Sequence, residues 1–305
     1  FMLNVRMFFY LLFHKTEIIW ANDLDVLWPA VFMKKLRGTK IIYDSHEYFT
    51  EVPELTSRPR VQKIWLKIER FIFPKLKKCY TVNQSIAEIY SSLYGKEMKV
   101  VRNISPLWKS DNIADKKTLG IPDNKPLIFL QGAGINIDRG AEEAVEAMQN
   151  IDAILLILGD GDVVPELKKR VNQLNLAEKV LFFGKKPYDV MMNYTKHADI
   201  GLTLDKPTNL NYRLSLPNKV FDYMHTSTVV ISSEIKEVAN IVRTNKIGEV
   251  LTDVTPTCIS KTINALLANP EKMNLYKANC KLAAKTENWE NETKILNEIY
   301  PKVGR

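Results

Sequence analysis

Residues 211–222 read NYRLSLPNKVFD, and the chain continues YMHTSTVVISS to Ser233. A polar loop carrying Asn211, Tyr212, Arg213 and Ser215 runs into Pro217. Proline suits a first helical turn, where its missing N–H is not needed. The helix then reads from Asn218 to Met224. A helix N-terminus offers unpaired N–H groups to an anion, and Lys219 adds a full charge in that turn. Asp222, three residues on, shares its face. One face thus carries N–H groups and an ammonium for phosphate, then a carboxylate for hydroxyls, an arrangement suited to a nucleotide diphosphate bearing a ribose or sugar. A plainer reading is a capped helix with a surface Lys–Asp pair, and the residues alone leave both open.

Outward from this stretch the pattern alternates between apolar strands and helices. Upstream, residues 126–131 (PLIFLQ) read as a strand followed by Gly132 and Gly134. Asp138-Arg139-Gly140 then leads into a helix over 141–148. Further strands are read at 153–158, 180–183 and 198–202, with helices at 166–174 and 188–196. The strand at 180–183 ends on Gly184. Downstream, 229–232 and 247–251 read as strands around a helix over 236–242. Toward the N-terminus, EIIWA at 17–21 ends in Asn22-Asp23, and KIIY at 40–43 ends in Asp44-Ser45-His46-Glu47, with a helix over 27–36 between them. Two strands thereby deliver polar side chains at their carboxyl ends, the ligand edge of a doubly wound sheet. The alternation predicts α/β architecture with parallel sheets.

At 305 residues the chain suits two domains, and 46% apolar residues supply two cores. Three scattered cysteines, Cys79, Cys258 and Cys280, fit a reducing compartment rather than a disulfide framework. The net charge of +8 favours anionic partners such as nucleotide phosphates, anionic lipid or nucleic acid. FMLNVRMFFYLLF at the start is too short to span a bilayer, and it reads as a core helix of a first domain whose opening strands are missing. A signal anchor is the alternative. Residues 58–78 form a basic, aromatic helix broken by Pro74, with eight cations against Glu69; it suits either an anionic membrane or a core helix with a solvated basic face. Residues 105–124 read as the linker.

The segment LPNKVFDYMHTSTVVIS (216–232) resembles the donor-site helix of family 4 retaining glycosyltransferases, the group 1 transferases. Their pattern runs PNK, two residues, Glu, Tyr-Met, a small pair, then Pro-Val-Ile. The resemblance extends over about 17–300 and includes the D-x-H-E segment at 44–47, the glycine turn and Arg-Gly helix start at 132–140, and Trp289-Glu290. It implies a GT-B type fold: two Rossmann-like domains facing a cleft, the first N-terminally incomplete. The domains would be 1–105 and 106–285, with a helix in 286–305 returning to the first.

What the resemblance implies about the site follows residue by residue. Arg139 and Lys219 bind the donor diphosphate, and Asp222 holds the ribose in place of the usual Glu. Gly132, Gly134, Gly184, Ser215 and Leu216 approach the donor through backbone. Asp23, His46 and Glu47 face the acceptor, with His46, Arg139 and Lys219 carrying the chemistry. Leu214 and Ala133 stand where many relatives have an acid and a base. The implied activity is sugar transfer from a nucleotide-diphosphate sugar to a glycan or lipid-linked acceptor, with retention. Neither metal nor cofactor is expected, the nucleotide sugar being a co-substrate, and nucleic acid is not an expected partner. The expected location is the cytoplasm, peripheral at the inner face of the membrane. Two other classes stay open: a nucleotide-sugar epimerase or hydrolase using Asp23, Asp44 and Glu47, and a non-catalytic nucleotide- or membrane-binding relative. A dehydrogenase is disfavoured, because neither G-x-G completes the dinucleotide fingerprint.

Overall fold

The computed structural model describes residues 2–110 and 112–299; Phe1, Asp111 and the last six residues of the expected returning segment lie outside that range. The chain divides into two compact units. The first comprises 1–103, 209–216 and the segment from Glu292, and the second comprises 104–208 and 217–291. The expected boundary at 105 therefore falls after Asn103. Residues 286–291 group with the second unit, and an internal stretch that the sequence reading left in the second domain groups with the first.

In the first unit, α1 (Met2–Phe13) leads to β1 (Ile18–Asn22), α2 (Leu27–Arg37) and β2 (Lys40–Ser45). Then come a single turn, α3 (Pro53–Thr56), the long α4 (Pro59–Ile72), β3 (Lys78–Thr81), α5 (Gln84–Tyr94) and β4 (Lys99–Val100). The four strands are parallel and in sequence order. Apolar strand residues such as Ile41 and Tyr43 pack against Leu27, Met33, Ile72, Phe73 and Tyr90 of the helices. Phe8, Leu11 and Leu12 of α1 pack against the same cluster. Pro74 ends α4, as its missing N–H requires, in a short 3-10 turn over Phe73–Lys75. The one acid of that helix, Glu69, is turned inward at 1% exposure and takes a hydrogen bond from Tyr94 at 2.6 Å. Burial raises its pKa.

The second unit runs β5 (Leu127–Gly132), α6 (Ala141–Ala147), β6 (Ile154–Gly159), α7 (Val164–Gln173), β7 (Val180–Phe182), α8 (Tyr188–His197) and β8 (Ile200–Thr203). A helical turn, α9 (Leu210–Arg213), lies in the stretch grouped with the first unit. The second unit resumes with α10 (Lys219–Thr226), β9 (Val229–Ser232), α11 (Lys236–Asn245), β10 (Gly248–Val250), α12 (Pro256–Leu267) and α13 (Pro270–Ala283). Helix α14 (Trp289–Ile299) begins in the second unit and, from Glu292, belongs to the first. There Glu292 accepts bonds from the Arg102 guanidinium at 2.6 Å and from its N–H at 2.7 Å. The six strands are parallel in the order β10-β9-β8-β5-β6-β7. Unbroken apolar runs such as Ile154–Gly159 suit strands covered on both faces.

The decisive stretch differs locally from its reading. Residues 210–213 are not loop but a turn of helix, because Asn209 caps it by accepting the Tyr212 N–H at 2.8 Å. Leu214 is buried in the apolar core of the first unit, and its carbonyl accepts from Asn83 Nδ2 at 2.6 Å. Helix α10 starts at Lys219, one residue past the expected start at Asn218, which is its cap residue. No helix among the described residues is long and apolar enough to cross a membrane.

Candidate functional site

The strand order of the second sheet places the site. From β5 the chain moves outward through β6 to β7, then returns to the other side of β5 with β8. Beyond the carboxyl ends of β5 and β8 the connections leave in opposite directions. Such a switch point opens a crevice where ligands bind in open α/β sheets. β5 ends at Gln131-Gly132, and β8 leads into Leu204-Asp205. A cavity of about 370 Å³ opens here, lined by residues 131–134, Arg139, Tyr188, Lys219 and Asp222 among others.

Two close approaches fix its walls. A Cβ on Gly201 of β8 would fall 2.5 Å from the Tyr223 ring, so α10 lies against the strand only because residue 201 has no side chain. The Tyr223 hydroxyl reaches the carbonyls of Leu202 at 3.1 Å and Phe129 at 3.3 Å, tying α10 to both β8 and β5. On the other wall, Gly140 has a φ of +73°, and a Cβ there would fall 2.4 Å from that of Leu204. The turn carrying Arg139 is thus pressed against the end of β8. The Lys206 N–H donates to the Asp138 carbonyl at 2.8 Å and closes the same turn.

The charges come from these walls. Arg139 Nη1 lies 3.2 Å from Oδ2 of Asp205, which is 2% exposed. Burial lowers the pKa of Lys219; Asp205 opposes that shift, and Arg139 adds to it. Asp222 is 3% exposed and embedded in donors. Its Oδ1 accepts from Ser105 and Tyr188, each at 2.9 Å, and its Oδ2 from Gln131 Nε2 at 2.8 Å. Burial raises its pKa against those three bonds. Gln131 is oriented in turn by Thr195, whose hydroxyl donates to its carbonyl oxygen at 2.8 Å. The surface Lys219–Asp222 pair of the plainer reading is not formed: Asp222 is inside, and its partners are Ser105, Tyr188 and Gln131.

Of the residues singled out in the sequence, Gly132, Gly134, Arg139, Lys219 and Asp222 line this one cavity. Gly184 does not, and Ser215 and Leu216 fall in the stretch grouped with the first unit. Asp23, His46 and Glu47 lie in the first unit. His46 Nε2 sits 3.0 Å from Asp44 Oδ2, and Glu47 accepts from Asn211 Nδ2 at 3.2 Å. Sequence reasoning missed Ser105, Gln131, Tyr188 and Asp205. Asp205 was findable, as a polar residue at the carboxyl end of an apolar strand, the signal that marked Asp23 and Asp44. Ser105 and Tyr188 carry no local signal, since their contacts exist only once the unit is folded.

Three comparisons bear on this geometry. An uncharacterised glycosyltransferase of Methanocaldococcus jannaschii is 28% identical over 134 residues, which is 39% of this chain and 34% of that protein. The match thus spans about a third of the relative's length. Sucrose-phosphate synthase from Thermosynechococcus elongatus is similar with a TM-score of 0.79 at 17% identity, over 98% of this chain and 76% of that one. HepE of Anabaena in complex with UDP-glucose gives 0.76 at 14% identity, over 97% and 82%. At these identities the likeness is one of fold, the two-domain α/β GT-B type with parallel sheets. The family model described as glycosyl transferases group 1 matches residues 111–283, more than half of the chain, and the chain belongs to that family.

Proposed function

We propose that this chain transfers a sugar from a nucleotide-diphosphate sugar to a glycan or lipid-linked acceptor, with retention of configuration, as in family 4. The observation that carries the reading is the joint presence of Arg139, Lys219 and the glycine turn in one cavity at the switch point of the second sheet. Negative charge grows on the diphosphate as the glycosidic bond breaks. Fixed cations aimed at that charge stabilise the transition state more than the ground state. Arg139 and Lys219, with the first N–H groups of α10, supply them without a metal. The leaving phosphate takes the acceptor proton. The Tyr188 ring, fixed through its hydroxyl by Asp222, lies at the cavity wall with Met191 and would bear on the nucleoside. The epimerase or hydrolase reading needs open carboxylates in the first unit. Asp23 and Asp44 are instead engaged with His46, and Glu47 with Asn211.

A thermal-shift screen of nucleoside diphosphates and nucleotide sugars tests the proposal. Because the Anabaena protein was solved with UDP-glucose, the uridine series comes first. A ligand at about a hundred times its Kd adds roughly 2.7 kcal/mol to stability. The expected result is a clear rise in Tm with one base and none with the others. No shift with any nucleotide would overturn the reading.

The acceptor side is proposed to lie at an anionic membrane, peripherally and at its cytoplasmic face. Because Glu69 is buried, the exposed charged side chains of α4 and its extension are all cations: Arg58, Arg60, Lys63, Lys67, Arg70, Lys75 and Lys77. Among them Ile64 is 53% and Phe71 59% exposed. Apolar side chains set among cations suit an interface of anionic headgroups and acyl chains. Co-sedimentation is expected with vesicles containing anionic lipid and not with neutral ones. Equal binding to both, or none, would refute the membrane role and leave the transferase proposal intact.

A further inference from the structure

The two cations of the second unit's cavity share one buried acid, Asp205, and its setting is unusual. The main chain fixes its position. Asp205 follows Leu204, which is pressed against Gly140, and its carbonyl accepts the Ser233 hydroxyl at 2.6 Å. Lys206, the next residue, is paired elsewhere, its ammonium meeting Glu143 of α6. The Asp205 carboxylate is 2% exposed, yet neither oxygen accepts a hydrogen bond among the described residues. Buried carboxylates are ordinarily held by donors, as Asp222 is by three. Asp205 is met by charge alone: Arg139 Nη1 lies 3.2 Å from its Oδ2, and Lys219 lies within its field. It is not among the residues that line the cavity, whereas both cations are. The acid therefore stands behind the cations and outside the ligand's path.

We infer that Asp205 is a built-in counter-anion of the Arg139–Lys219 clamp, a positioning residue that weakens the hold on the nucleoside diphosphate product more than on the nucleotide sugar and so sets product release. The ligands rest on the transferase proposal; the counter-charge rests on the second unit alone. Transfer breaks the bond between the sugar and the diphosphate and leaves a terminal phosphate in the product. With a second pKa of about 6, that phosphate gives its proton to solvent at pH 7. The product then carries one more negative charge than the donor did. Repulsion from a fixed carboxylate grows in proportion to the ligand's charge, and burial leaves it little screened. Two uncompensated cations would hold the more highly charged product the more tightly and stay occupied. Cancelling one of the two charges opposes that trap, while both cations still face the charge that grows on the leaving group. The same carboxylate helps Lys219 keep its proton against burial and the Arg139 charge. The test is therefore run at pH 7, about three units below the ordinary lysine value, where Lys219 keeps its proton without that help.

Calorimetry at pH 7 with inorganic pyrophosphate, UDP and UDP-glucose, on the whole chain and on Asp205→Asn, reads the counter-charge. Asparagine keeps the shape, and the exchange breaks no hydrogen bond to the carboxylate. Asp205→Ala is the second variant, since it removes the charge without burying an amide. Both variants are expected to bind pyrophosphate and UDP about tenfold more tightly than the parent and UDP-glucose about fivefold, in step with ligand charge. An acid that merely anchored Arg139 would act the other way: its loss would loosen the arginine and weaken every probe alike. Affinities unchanged or weakened in both variants would overturn the inference, and so would an equal gain for UDP and UDP-glucose. Tighter pyrophosphate binding in the variants, with no nucleotide bound by any of the chains, would count instead against the transferase proposal and leave the counter-charge standing.

Discussion

Replacing Lys219 with Ala is expected to weaken binding of the cognate nucleoside diphosphate by ten- to a hundredfold while the fold persists. Lys219 sits in the first turn of α10, where the helix already favours an anion, and it lines the cavity beside Arg139. Burial disfavours its charged form, and the Arg139 charge adds to that, with Asp205 as the compensating carboxylate. A diphosphate entering between the two cations relieves this repulsion. The bond lost on truncation is charge-assisted, worth about 1.5–3 kcal/mol, and each 1.4 kcal/mol is tenfold in affinity. Asp205 keeps Arg139 beside it at 3.2 Å when the lysine is removed, and Asp222 is held by Ser105, Tyr188 and Gln131, so no buried carboxylate is stranded. Calorimetry on the parent and the variant reads the difference. Equal affinities would leave α10 as framework and remove the anchor of the transferase proposal.

The second large effect is expected at Gly201, in the interior of β8. Replacing it with Ala places a Cβ 2.5 Å from the Tyr223 ring, which cannot swing aside because the ring is fully buried and its hydroxyl is held by β5 and β8 carbonyls. Overpacking of this kind costs about 1–3 kcal/mol, and Gly201→Val should cost more. For domains of this size each 1 kcal/mol lowers Tm by about 2–4 °C. The relaxation open to the molecule is to lift α10, which carries Lys219 and Asp222. Loss of nucleotide affinity should therefore accompany the loss of stability. A Gly201→Ala protein with unchanged Tm and unchanged affinity would show that the strand and helix pack more loosely than the distances state.

Much of this architecture was legible because its signals are local. Strand, glycine turn and helix repeat along the second unit, and Asp138-Arg139-Gly140 announces both a turn and a cation at a strand end. The PNK helix carried its proline-led entry and the lysine of its first turn in its own letters. What was not legible depends on tertiary packing. Asp222 reads as an exposed carboxylate one turn beyond Lys219, yet Ser105, Gln131 and Tyr188, brought from three other segments, enclose it. Oδ1 already takes two bonds and Oδ2 one, so an incoming hydroxyl has less room than the spacing suggested. Glu69 looks like a surface acid among eight cations, but Tyr90 and Tyr94 draw it inside. Leu214, placed by resemblance where an acid belongs, turned out to be a core residue of the other unit.

That last position governs how the protein can be taken apart. The chain enters the second unit at Ile104, leaves it at Asn209 and re-enters at Pro217. A recombinant fragment cut at 104 and 291 would carry residues 209–216 without Asn83, Glu47 or the apolar bed that receives Leu214. The loose octapeptide would feed directly into α10 with Leu214 exposed. The complementary fragment would lack a plug from its core. Domain dissection of this protein therefore calls for replacing 209–216 with a short polar linker, and not for a single cut at the apparent boundary.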